Sequence, residues 1–378
     1  MSISGRQDLG RARRLVLKIG SAVLTHNADM SLDRGVFCRI IEMIAELREA
    51  GREVIVVTSG AVALGRSVIG CPRPDRQKNL PTLQALAGIG QSLLMEYYEN
   101  ELNYYGLHSA QILLTRADLE DRARFSNARR TVEALLEMGV VPIVNENDAV
   151  ANDQIRFGDN DTLSARVAVM TRADLLVIMS DIDAVYTANP KEDATAKRIE
   201  QIEAFDPSLD IFAKDSNSDV GTGGMITKIA AARMCARMGI STLIMRGKSP
   251  KLLQRALSGG DIGTLLYSDE PRQTLHKTWI QSLQANGRIC CDDGAQRAIV
   301  SEGCSLLPKG IVRVEGEFDQ GEGVEIADAQ GAVFAKGIAV YDARAIRKIA
   351  GHHSKDIVDL LGFHILDVVV HRDDLTLL

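Results

Sequence analysis

Between Leu15 and Leu266, short β-branched runs alternate with longer stretches of helical apolar spacing, a rhythm that restricts the chain to an α/β sheet covered by helices on both faces. RLVLKIG (14–20), EVIVVTSG (53–60), SAQILLT (109–115), VVPIVNEND (140–148), DLLVIMSD (174–181) and STLIMRG (241–247) read as buried, largely parallel strands. Each run closes in polar or Gly-rich residues. Open α/β sheets bind ligands outside the carboxyl ends of their strands, so these closing residues are site candidates by position alone. Between the strands, VFCRIIEMIAELREAG (36–51) and TKIAAARMCARMG (227–239) have helical spacing and stop at Gly, as sheet-covering helices do.

The rhythm ends after Tyr267. SDEPRQTLHKTWIQSLQANG (268–287) is polar with a Pro, and beyond it GRICCD, GIVRVEGEF, GEGVEIAD and AVFAKGIAVY read as short strands spaced by turns. The expected division is an α/β domain over 1–267, a linker over 268–285 and a small β-barrel-like domain over 286–378. The length of 378 residues, beyond the reach of a single core, agrees with two domains.

A net charge of −6 offers nothing overall to nucleic acid or an anionic membrane, so any phosphate must be held locally. The first fourteen residues lack the apolar core of a signal peptide, and no apolar run approaches the length of a membrane helix. A cytoplasmic protein without membrane contact is expected. Cys38, Cys71, Cys235, Cys290, Cys291 and Cys304 form no CxxC pair and read as reduced thiols, and His352–His353 reads as a loop feature, so no metal site is expected.

The strongest local feature is VGTGGMITKIAAA (220–232), a Gly-rich segment opening a helix that contains Lys228. Small residues let backbone N–H groups approach phosphate oxygens, and the helix N-terminus and the lysine add positive charge. Its spacing is neither GxxxxGK[ST] nor GxGxxG, and a flexible structural turn is the alternative. Lys18 lies inside the apolar strand VLKIGSAVL, ahead of Gly20 and Ser21. It either snorkels from the strand end or meets a phosphate above the Gly-Ser loop.

TSGAVALG (58–65) offers the Ser59 hydroxyl and backbone amides, or is only a tight turn. VNENDAV (144–150) places Asn145, Glu146, Asn147 and Asp148 at a strand end, and FGDNDTLSA (157–165) supplies Asp159, Asn160 and Asp161 before a helix. An N-cap role accounts for one of these, Asp161, but not for two polar clusters at adjacent strand ends. No GxSxG elbow supports a nucleophilic triad.

Taken in order, LVLKIGSAVL, VTSGA, LLTRADLEDRARFSNAR, VPIVNENDAV, RFGDNDTLSA and GTGGMITKIAAA closely resemble the glutamate 5-kinases of the amino acid kinase family. SLLPKGIVRVEGEFDQGEGVEI and IAGHHSKDI resemble the PUA domain that many bacterial members carry. The resemblance implies an αβα sandwich with a mostly parallel sheet, and a small C-terminal PUA β-barrel. It further implies ATP with Mg²⁺ as phosphoryl donor and L-glutamate as acceptor, giving γ-glutamyl phosphate at the start of proline synthesis.

Position by position, Lys18 and Lys228 match the lysines that neutralise the transferring phosphoryl group, and Asp161 the aspartate that orients them. Ser59, Asp148 and Asn160 match glutamate-binding positions, and Asn145 lines the same pocket. Ser180, Asp181 and the run Thr222, Gly223, Gly224, Met225, Ile226, Thr227 and Lys228 match ATP-binding positions, with Lys18, Gly20 and Ser21 beside the phosphates. Ser180 stands for a Thr and Arg156 for a Lys, both keeping the chemistry.

The resemblance also implies feedback inhibition by proline and a homodimer or homotetramer. The alternatives are a sister kinase acting on N-acetylglutamate, aspartate or carbamate, and an RNA-binding PUA protein. Charge opposes the latter, since residues 286–378 carry ten Lys and Arg against fifteen Asp and Glu.

Overall fold

The computed structural model describes residues 3–26, 28–71, 80–150, 160–190, 192–214, 224–269 and 272–378. They fall into two compact units, 1–117 with 129–272 and 118–128 with 273–378. In the first unit the strands are β1 (Arg14–Ile19), β2 (Glu53–Val57), β3 (Ser109–Leu114), β4 (Val141–Glu146), β5 (Leu175–Ser180), β6 (Gln201–Glu203), β7 (Ser241–Arg246) and β8 (Thr264–Tyr267). They form one sheet in the order β3-β4-β2-β1-β5-β7-β8-β6. Every neighbouring pair is parallel except β7 with β8.

The expected strands all appear, shortened by one to three residues at their polar ends. β6 and β8 escaped the sequence reading because three- and four-residue strands leave no apolar run to see. β1 lies between β2 and β5, so its carboxyl end is where chain connections diverge to either side, the crevice in which such sheets hold ligands.

The helices up to residue 257 are α1 (Ser21–Leu24), α2 (Arg34–Glu49), α3 (Ala61–Ile69), α4 (Leu80–Asn103), α5 (Arg116–Glu120), α6 (Arg122–Glu137), α7 (Asn160–Met170), α8 (Ser208–Lys214), α9 (Met225–Ala236) and α10 (Leu252–Leu257). The Asp33 carboxylate caps α2 by accepting from Val36 N at 3.1 Å, and Phe37, Ile40, Ile41, Ile44 and Leu47 bury its apolar stripe. That stripe joins Leu15, Leu17 and Ile19 of β1 in one core. Strand alternation then sends Lys18 to the opposite face, toward α7.

α3 and α4 approach through glycine. A Cβ on Gly65 would lie 2.1 Å from the Leu86 carbonyl oxygen, and one on Gly90 would lie 1.7 Å from that of Ala61. No larger residue fits either position without separating the helices.

The second unit carries β9 (Ala285–Cys291), β10 (Ile311–Gly316), β11 (Gly323–Ala327), β12 (Val333–Ile338) and β13 (Leu375–Leu377). Their order is β10-β9-β11-β12-β13, antiparallel except for β9 with β11. Its helices are α11 (Arg272–Ser282), α12 (Asp293–Glu302), α13 (Ala343–Ile349) and α14 (Ile357–Leu361). Asp292 and Asp342 cap α12 and α13, each accepting from a backbone N–H at 2.7 Å. α11 occupies most of the stretch expected as a linker. His353 caps the turn 354–356, which accounts for one of the paired histidines. All six cysteines are free thiols.

Candidate functional site

Lys18 and Lys228 converge on Asp161. The Lys18 Nζ lies 2.6 Å from Asp161 Oδ1 and the Lys228 Nζ lies 3.1 Å from Oδ2. Asp161 is fully buried, and the two lysines are 7% and 4% exposed. Burial alone would push the Asp161 carboxyl up. The two ammonium groups and their hydrogen bonds outweigh it and hold the carboxyl well below its usual range, at about 2.

One carboxylate therefore faces two ammoniums in a water-poor site, a concentration of positive groups suited to a phosphoryl group. Thr227 Oγ1 donates to Asp161 Oδ2 at 3.0 Å, fixing the carboxylate further. The snorkelling alternative for Lys18 does not hold, because its ammonium is buried in this ion pair.

Asp161 is not an N-cap. It is the second residue of α7, and its carboxylate serves the two lysines. Its neighbour Asn160 points elsewhere, because successive helix residues are turned about 100° apart. Asn160 Nδ2 donates to Thr58 O and to Ser59 Oγ, each at 2.6 Å, and lies 3.2 Å from Asn145 Oδ1. The first turn of α7 thus addresses the lysine pair with one side chain and the ends of β2 and β4 with the other. Gly60 makes the Ser59 turn possible, since its φ of 102° is strained for any residue with a side chain.

Asn145 is buried at the end of β4 and donates from Nδ2 to Gln91 Oε1 of α4 at 2.8 Å. The sequence reading missed Gln91, although a signal was present. Leu86, Ala87, Gly90, Leu94 and Tyr98 form the buried stripe of α4, and Gln91 is a polar residue on that stripe.

Around the same edge, Gly20 sits where a Cβ would be 3.5 Å from Lys18 Nζ, and Ser21 opens α1 beside it, exposed. Ser180 closes β5 and donates to Asp181 Oδ1 at 2.8 Å. Gly224 precedes α9, where Met225 is buried, Ile226 is exposed, and Thr227 and Lys228 face Asp161. Thr222, Gly223, Arg156 and Asp159 lie outside the described residues. Asp148 follows β4, half-buried, in the turn 148–150. Among the described residues, no group of three or more His, Cys, Asp or Glu could hold a metal ion, and no helix is long and apolar enough to cross a membrane.

Glu146, at the end of β4, also carries a shifted carboxyl group. Burial, and then the nearby Asp148 charge, push its carboxyl up to about 7 from an ordinary 4.5. The fold favours the protonated form, so this contribution to stability is complete below pH 4.5 and is lost as pH rises toward 7. Glu146→Gln should flatten the fall in melting temperature between about pH 5 and pH 7.5. An unchanged slope in thermal melts would contradict it.

The model of the amino acid kinase family matches residues 13–246 and that of the PUA domain residues 287–361. Glutamate 5-kinase of Geobacter sulfurreducens is 44% identical over 98% of this chain and 99% of its own length. That of Carboxydothermus hydrogenoformans is 45% identical, with the same coverage of both chains. A carbamate kinase from Giardia lamblia bound to AMP-PNP, at 17% identity, aligns with a TM-score of 0.50 over 69% of this chain and 100% of its own, a likeness of fold.

Proposed function

Because this chain belongs to the amino acid kinase family, we propose that it transfers the γ-phosphoryl group of ATP to the side-chain carboxylate of L-glutamate, giving γ-glutamyl phosphate for proline synthesis. The observation that carries this reading is the buried Lys18–Asp161–Lys228 cluster at the carboxyl ends of the strands. The full-length likeness to glutamate 5-kinases selects glutamate over N-acetylglutamate, aspartate or carbamate.

The chemistry follows from the residue types. A glutamate carboxylate is ionised near pH 7 and needs no general base, so the chemistry does not call for a catalytic histidine. Its oxygen attacks the γ-phosphorus; the new O–P bond forms as the bond to the β-bridging oxygen breaks, and ADP leaves with that electron pair. ATP enters as its magnesium complex, a substrate whose metal offsets phosphate charge. Lys18 and Lys228 stabilise the negative charge spread over the transferring oxygens, and Asp161 keeps both ammoniums aimed there.

Gly20, Ser21, Ser180, Asp181 and the run Thr222 to Lys228 hold the nucleotide. Ser59, Asn145, Asp148 and Asn160 hold glutamate. The reading extends to proline as a feedback inhibitor in the same pocket and to a cytoplasmic homodimer or homotetramer, which light scattering decides.

A substrate panel read by ADP release tests the reading. Activity with glutamate is expected, and activity with N-acetylglutamate but not glutamate would overturn it. Asp148→Ala should raise the KM for glutamate and weaken proline inhibition together while sparing the KM for ATP, because its carboxylate meets the substrate ammonium. A selective loss of ATP affinity would reverse the assignment.

A further inference from the structure

Amide orientation in the β2–β4 pocket can be fixed from one unambiguous donor. The backbone N–H of Glu146 lies 2.9 Å from the Asn145 side chain, so the atom facing it is the acceptor Oδ1. Asn145 Nδ2 is then the branch that meets Gln91, and the atom it meets is Gln91 Oε1. The remaining branch of Gln91, Nε2, is a donor. It is buried and has no hydrogen-bond partner among the described residues. A buried amide donor is costly to leave unpaired, and native structures rarely do so without a functional reason.

Its position is as constrained as its identity. The backbone of Gly90 lies against the Ala61 carbonyl, two residues past Ser59, so Gln91 is held at the base of the Ser59–Gly60 turn. Gln91, Asn145, Asn160 and Ser59 then form one hydrogen-bonded chain from α4 to β2. At one end stand residues assigned to glutamate, and at the other a donor awaits an acceptor.

We propose that Gln91 is a further substrate-binding residue, whose Nε2 donates to a carboxylate oxygen of the amino-acid substrate while its Oε1 holds Asn145 in register. The proposal rests on the glutamate reading above. It makes Gln91 a determinant of selectivity for an anionic acceptor, since a buried donor rejects a substrate that leaves it unpaired.

Gln91→Glu is the informative variant. It is near-isosteric and keeps the acceptor for Asn145, but it replaces the donor by an oxygen that repels a carboxylate. Initial-rate kinetics should show the KM for glutamate raised about tenfold or more, the size expected for a lost hydrogen bond to a charged group, with the KM for ATP within threefold. The defect relative to wild type should ease as pH falls, because the introduced carboxyl group can donate again once it is protonated. A purely structural role would not give that signature.

Gln91→Met, which lacks both polar atoms and adds no charge, should also raise the KM for glutamate about tenfold; it applies the same criterion if the first variant fails to fold. A KM for glutamate within threefold of wild type, or parallel loss for both substrates, overturns the proposal. Wild-type protein inactive on glutamate would instead overturn the underlying reading.

Discussion

Replacing Asp161 by Asn is expected to lower kcat by about 10²-fold or more while leaving the KM for ATP unchanged or reduced. Asn keeps the shape but removes the charge that both Lys18 and Lys228 face from buried positions. Breaking a buried ion pair from one side typically costs about 3–5 kcal/mol. For a unit of this size that corresponds to a fall of roughly 6–10 °C in melting temperature, at about 2 °C per kcal/mol.

On the proposed mechanism the effect on ATP has the opposite sign, because Asp161 would compete with phosphate oxygens for the same ammoniums. Without it the lysines bind phosphate no less well, but nothing holds them at the transferring group. Thermal melts with and without ATP, beside initial rates, check both halves. Unchanged kcat with unchanged melting temperature would remove Asp161 from the account.

Lys228→Ala and Lys18→Ala should each reduce kcat by about 10²-fold or more, since each removes one preorganised charge from a desolvated site. Here the KM for ATP should rise, the reverse of the Asp161→Asn result. The two lysines share one carboxylate; if they act through it as a unit, the double variant should lose little beyond the worse single one. A single variant within threefold of wild type would take that lysine out of the mechanism.

The central strands were legible because a parallel sheet buried on both faces demands continuous apolar runs. The ends of those runs were equally legible, since a charge such as Lys18 inside VLKIG must meet a partner. Spacing and periodicity alone did not say which partner it meets; only the family resemblance pointed to Asp161. Lys228 and Asp161 are 67 residues apart in sequence, and only the packing of α7 beside α9 brings them together.

The N-cap reading of Asp161 failed because a carboxylate beside a helix start has the same local signature whether it caps or reaches across the fold. Gln91 was hidden for a different reason. Helical periodicity assigns a lone polar residue on an apolar stripe to tolerated burial, and its bond to Asn145 depends on the Gly90–Ala61 approach, which sequence spacing does not encode. In the second unit, α12 to α14 are only five to ten residues long, and the turn-rich pattern around them reads as strands alone.

Trapping the product with hydroxylamine distinguishes acyl phosphate formation from other phosphoryl transfers, because an acyl phosphate reacts to a hydroxamate and a simple phosphate ester does not. γ-Glutamyl hydroxamate and ADP are expected in equal amounts, dependent on glutamate, with both lost together in Lys228→Ala. ADP release without hydroxamate, or hydroxamate formation undiminished by Lys228→Ala, would contradict the proposed reaction.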